Sequence, residues 1–239
     1  MEKTLKEKYI VLGLRTLLLI LIIVPARILP QAIAFPQPFF ARFSPLHLLW
    51  LFWMLLFIKR LFPTGQTMMA GKKIFARYND VAPGYSKDLL KKYVKNRNAG
   101  MLRVVAAGAV CVIPFYILYL TGSIHERALV IYAVFLFALD MVFEIFFCPF
   151  QVLFMKNRCC HVCRIYNWNS LLIISPLLII PSFFSWSLAI VALSGLVEGE
   201  IAWLRHPEYF WNISNKKLRC TACTKKMCAV RKPIREKAL

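Results

Sequence analysis

The chain has 239 residues and a formal net charge of +20; 59% of the residues are hydrophobic, 14% aromatic and 18% charged, and mean hydropathy is +0.60. A soluble domain of this length carries a smaller apolar fraction and about a quarter charged residues, so the composition excludes an ordinary soluble domain and predicts an all-α, polytopic helical membrane protein. An isoelectric point near 9.9 would by itself suit a nucleic-acid binder, but the basic residues sit beside apolar runs, where topology and lipid account for them. No nucleic-acid partner is expected.

The first apolar run, 9–24, follows Lys3, Lys6 and Lys8. It reads as a first helix or as the core of a signal peptide with Ala32-Ile33-Ala34 as its cleavage site. Pro25, Arg27 and Pro30 hold that site further from the apolar core than a signal peptide allows, so residues 1–34 are expected to stay as an anchor. A second span covers 45–62 and opens with His47, Trp50 and Trp53.

A basic connection, 63–100, comes next. Within it Ser86 can cap a helix whose first turn holds Asp88, with Leu89, Leu90, Tyr93, Val94 and Arg97 on one side and Lys87, Lys91, Lys92 and Lys95 as a cationic face. Such a helix lies on the bilayer surface and attracts anionic headgroups by about 1 kcal/mol per basic residue. Spans three and four are expected at 101–120 and 128–150. Leu171 to Leu204 is 34 residues without a basic side chain, too long for one crossing of about 20 residues and enough for two. Pro181-Ser182-Phe183-Phe184-Ser185 divides it into a short fifth span, 170–181, and a sixth, 185–204.

Lys and Arg near span ends set the orientation. The connection from Lys59 to Arg97 carries ten of them and the tail from Arg205 another ten, whereas the alternate connections hold Arg27 and Arg42, then Arg127, then none. About six spans therefore leave both termini, the basic loop and both cysteine-containing segments, 156–169 and 205–239, on the cytoplasmic face of a multi-pass cell-membrane protein. A five-span count would place a basic segment outside.

Those two segments hold six of the eight cysteines, as Cys159-Cys160-His161-x-Cys163 and Cys220-x-x-Cys223 followed by Cys228. Cytosolic thiols stay reduced, so close pairs there point to metal binding or redox exchange and not to a disulfide framework. Cys160-x-x-Cys163 and Cys220-x-x-Cys223 have the spacing that lets one turn aim two sulfurs at one ion, with Cys159, Cys228 and His161 as further ligands. Four thiolates suit structural zinc or a 4Fe-4S iron-sulfur cluster, and a metal-free dithiol site is a third reading. Arg158, Arg164, Lys216, Lys217, Arg219, Lys225 and Lys226 would offset the negative charge of a tetrathiolate, although topology alone requires basic residues there. Arg164, Tyr166 and Trp168 follow the first cluster and could cover a cofactor; the two aromatics also suit the interfacial belt.

Acidic residues inside spans mark functional sites. Asp140 and Glu144 lie four apart on one face, which Cys148 continues, and Glu198 and Glu200 lie near the cytoplasmic end of span six. These four acids are candidates for a proton relay or cation site, with a structural ion pair to Arg103 or Arg205 as the alternative. No Glu-x-x-His occurs, which argues against a di-iron carboxylate site of the usual pattern. No phosphate-binding loop, dinucleotide fingerprint, Gly-x-Ser-x-Gly or His-Glu-x-x-His is present.

Arg205-His206-Pro207-Glu208-Tyr209 resembles the Arg-His-Pro-x-Tyr element of the membrane methyltransferases that modify isoprenylcysteine or phosphatidylethanolamine. The resemblance spans five residues and implies S-adenosylmethionine binding. The glycine that follows the tyrosine in that family is missing here, and no apolar span follows the motif. The expectation carried forward is a cytoplasmic cysteine-ligated metal centre, foremost an iron-sulfur centre passing electrons from a cytosolic donor protein to a membrane acceptor, and so a membrane oxidoreductase component. The alternatives are a zinc-stabilised transporter or scaffold, and, behind both, a membrane methyltransferase.

Overall fold

In a computed structural model the chain is described over residues 2–28, 35, 39–40, 43–62, 84–156 and 163–219, and every regular element among them is helical. The helices are α1 (Glu2–Ile28), α2 (Pro45–Leu61), α3 (Lys87–Leu120), α4 (Glu126–Ile145), α5 (Ile165–Ile174) and α6 (Phe183–Arg205). A π-turn, Phe150–Phe154, lies between α4 and α5, and short 3-10 turns cover Ser175–Leu177, Pro207–Phe210 and Lys216–Leu218.

Four of these helices are long and apolar enough to cross a membrane: Lys6–Ile28 of α1, α3, α4 and α6. They expose large apolar side chains that water would penalise and lipid would not, such as Leu102 (72% exposed) and Ile190 (64%). α2 with 17 residues, and α5 with its 3-10 extension, are helical where spans two and five are expected, but shorter.

Local chemistry sets the helix ends. The Leu89 N–H donates to Ser86 Oγ (3.4 Å) to start α3, and the Ser185 N–H to Ser182 Oγ (3.2 Å) to start α6. At α2 the Ser44 N–H donates to His47 Nδ1 (3.0 Å), which leaves the ring's Nε2–H for the Phe39 carbonyl (2.7 Å). The Ser86 cap is where the sequence predicts it. The helix it opens, however, runs without a break through Gly100 into span three, because nothing between Lys87 and Pro114 interrupts the backbone ladder.

The main core lies among α1, α2, α4, α5 and α6 around Trp53, Phe57, Phe137, Ile174, Leu177 and Phe184. α1 packs on α4, α2 on α6, and α5 on both α4 and α6. A smaller cluster, Met101, Val104, Met155 and Cys163, joins α3 to the π-turn and to the start of α5. Gly100 permits that junction. A Cβ there would meet the Phe154 carbonyl oxygen at 2.8 Å and Met155 Cα at 3.3 Å.

Candidate functional site

The candidate site is built around Glu200, on the last two turns of α6. Arg164, the residue before α5, donates from Nε to both carboxylate oxygens (3.0 and 3.2 Å) and from Nη2 to Oε2. Asn167 Nδ2 (2.7 Å) and Trp168 Nε1 (3.2 Å) donate to Oε1. Both partners of the ion pair are largely buried, with side-chain exposures of 11% and 17%. The fork geometry fixes the guanidinium plane against the carboxylate.

Asn98 of α3 extends the network. Its Oδ1 accepts from Arg164 Nη1 and from Trp203 Nε1 (3.2 Å), while the Arg164 guanidinium lies 4.9 Å from the Trp203 ring centroid. Next to it, Arg97 donates to the Met155 carbonyl, and just over one turn earlier Tyr93 Oη donates to the Phe210 carbonyl (3.0 Å). The Tyr93 ring stacks on Trp211 with centroids 5.6 Å apart. The segment Tyr93–Asn98 thus grips Met155 and Arg164, on either side of the first cysteine cluster, and Phe210, ten residues ahead of Cys220. Lys156, the last residue before the first cluster's undescribed stretch, has φ of 45°, a left-handed turn that side chains other than glycine adopt at some cost.

The cysteine ligands are only partly in view. Cys159, Cys160, His161, Cys220, Cys223 and Cys228 lie outside the described residues, as does Arg158. Cys163 is buried, 7% exposed, against Met101, Val104 and Met155. Among the described residues no three His, Cys, Asp or Glu side chains come together as a metal site.

The remaining acids fall into separate environments. Asp140 accepts from Arg15 Nη1 (2.8 Å), which also donates to the Phe137 carbonyl (2.7 Å) beneath a guanidinium lying 3.9 Å from the Phe137 centroid. Glu144 pairs with Lys8. Arg60 interacts electrostatically with both acids and donates to Ser170 Oγ (2.8 Å). Glu198 is exposed. Asp140, Glu144 and Glu200 thus pair with Arg15, Lys8 and Arg164, where the sequence alone offered Arg103 and Arg205, since α1 packs its cationic N-terminal half on α4 and Arg164 lies at the start of α5, against α6.

A cavity of about 370 Å³ lies beside Asp140 and Glu144. Cys163 and Cys148 line it together with Asp140 and Glu144, and Gln151, Tyr166 and Asn169 add polar groups to walls that are otherwise apolar. Asp140 and Glu144 share this lining from one face of α4, and Cys148 reaches it from beyond the helix, which ends at Ile145 and does not extend to 150 as the sequence predicts. Tyr166 faces this cavity while Trp168 turns to Glu200, so the aromatics after the first cluster serve two different places.

Sequence reasoning names Arg164, Trp168 and Glu200 but misses Asn98, Asn167 and Trp203, because lone amides and a tryptophan near a helix end carry no spacing signal. The Arg-His-Pro-x-Tyr element closes on itself. His206 stacks on Tyr209 (4.6 Å) and its Nδ1 lies 3.2 Å from Glu208 Oε1, while Pro207 ends α6 and opens a 3-10 turn. No protein-family model, curated protein or solved structure matches the chain.

Proposed function

We propose that the chain is a multi-pass cell-membrane protein of about six spans, with both termini and both cysteine segments cytoplasmic. Its cysteines hold a 4Fe-4S centre that passes electrons from a cytosolic donor protein to an acceptor in the membrane. The observation that carries this reading is the convergence on Tyr93–Asn98. Arg97 holds Met155, Tyr93 holds Phe210, and Asn98 holds Arg164 and Trp203, so residues on both sides of the first cluster and the turn that begins the tail meet one polar patch. Cys160, Cys163, Cys220 and Cys223 are the proposed ligands, with Cys228 as the nearest substitute and Arg164 as a countercharge. Asp140 and Glu144 handle the coupled protons. α1 belongs to the mature bundle in this reading, and Arg15 on Asp140 supports its retention.

A zinc knot is the second reading, favoured by one feature. The Arg164–Glu200–Asn98 network is a mechanical clamp on the cysteine segments, which is what a structural metal would extend. The two readings part on electrons. Protein purified anaerobically should lose a visible absorption band on adding dithionite, and Cys160→Ser with Cys220→Ser should abolish the band. Colourless protein that responds to neither treatment would leave zinc and remove the redox role.

A further inference from the structure

The cavity between α3, α4 and α5 has a polar inner end and an apolar mouth. Asp140, Glu144, Gln151 and Asn169 stand at or near the inner end, next to Cys163. Phe135, 44% exposed, and the exposed Cys111 stand at the mouth, on helix faces whose neighbours Val110 and Ile113 are also exposed. On the membrane reading those faces meet lipid, so the cavity opens sideways into the hydrocarbon and not into water. Its volume lies at the low end of small-molecule pockets, about 300 to 1,000 Å³.

We propose that this cavity binds the ring of a lipid-soluble quinone, with the prenyl tail leaving through the Phe135–Cys111 mouth. The inference rests on the redox reading above and names its membrane acceptor. Three features select that chemistry. The neutral amides of Gln151 and Asn169 and the phenol of Tyr166 offer hydrogen bonds to ring carbonyls, whereas a fatty acid or phosphate head would face two carboxylates. The cations that neutralise those carboxylates, Lys8 and Arg15, do not line the cavity and are occupied on the α1 side. Phe143 and Phe150, edge to face at 5.8 Å, provide flat apolar walls for a ring.

Cys163, one of the proposed ligands, lies on the cavity lining. Conversion of quinone to quinol takes two electrons and two protons. The electrons arrive one at a time from the proposed centre, which the cytosolic donor reduces again after each transfer. Glu144 and Asp140, which rest as the anions paired with Lys8 and Arg15, each take one proton from cytoplasmic water as the ring is reduced, pass it to a ring oxygen and return to the anion.

The test is a titration of the full chain in phosphatidylcholine nanodiscs with a short-tailed quinone, read as saturable quenching of intrinsic fluorescence, with metal content measured on the same sample. The expected result is saturable binding that Asn169→Leu weakens about tenfold, the equivalent of one lost hydrogen bond. Leu139→Phe, which fills the cavity from the α4 wall, should weaken it likewise, and thermal melts identify any variant that has merely unfolded. Metal-loaded protein that shows only unsaturable partitioning, or binding that neither folded variant alters, would overturn the quinone site and leave the metal centre standing. Saturable, variant-sensitive binding by metal-free protein would keep the site and remove the redox reading instead. Retention of a phospholipid in the cavity by native mass spectrometry, with no quinone uptake, would also overturn it.

Discussion

The side chain on which most contacts at the candidate site converge is Glu200. Five donor contacts from Arg164, Asn167 and Trp168 reach its two oxygens, and Arg164 in turn bonds Asn98. Removing one partner of a buried ion pair costs more than the pair contributes, because the other charge stays desolvated. Glu200→Gln should therefore destabilise the protein by about 3 kcal/mol, seen as a lower melting temperature in detergent. Glu7→Gln, at an exposed position of α1, should stay within about 0.5 kcal/mol of the parent. Equal effects of the two would contradict the network.

The same comparison shows what the chain disclosed in advance at this scale. Acids within apolar runs are rare enough to single out Asp140, Glu144 and Glu200 by composition alone. Their partners are a different matter. Arg15 lies 125 positions from Asp140 and Lys8 lies 136 from Glu144, so nothing local relates them, and positive charges near an N-terminal span read first as orientation signals. The amides of Asn98 and Asn167 matter only once α3, α5 and α6 are packed.

Among the elements, α3 carries the arrangement that the sequence reading divided. Its N-terminal turns read correctly as a capped helix with Lys87, Lys91 and Lys92 outward, all of them exposed. Hydropathy separated it from span three because Lys95 and Arg97 interrupt the apolar run, yet charge does not break a backbone ladder when good helix formers surround it. Continuity has a consequence for packing, since one rigid rod carries both the lipid-facing stretch and the Tyr93–Asn98 contacts. Gly100 is where that rod meets the π-turn. Gly100→Val would drive a side chain against the Phe154 carbonyl and should cost about 1 to 3 kcal/mol while loosening the segment that leads to the first cysteine cluster. The check is a melt combined with thiol labelling of Cys163 in protein whose other cysteines are replaced. The variant should label faster than the parent, and an unchanged rate and melting temperature would contradict the contact.

For the whole molecule, four helices meet the length and hydropathy of a crossing, and α2 and α5 occupy the places of the other two. The apolar runs made helical class and approximate borders readable, because hydropathy is a sum over many residues and tolerates local error. The short elements were harder. α5 bends into a 3-10 turn at Ser175–Leu177 around Pro176, and span four ends at Ile145 instead of reaching 150, where the chain turns through Pro149 into a π-turn. With six crossings, a membrane-impermeant maleimide applied to intact cells should fail to label Cys223 or Cys228 and should label both after permeabilisation. Labelling of intact cells would place the tail outside and separate the two cysteine segments.

The most direct test of the account is the metal content of full-length protein purified anaerobically in detergent, measured with its absorption spectrum. The account predicts roughly four irons per chain with a broad band at about 400 nm that bleaches on reduction. One colourless zinc per chain would contradict it and assign the cysteines to structure alone.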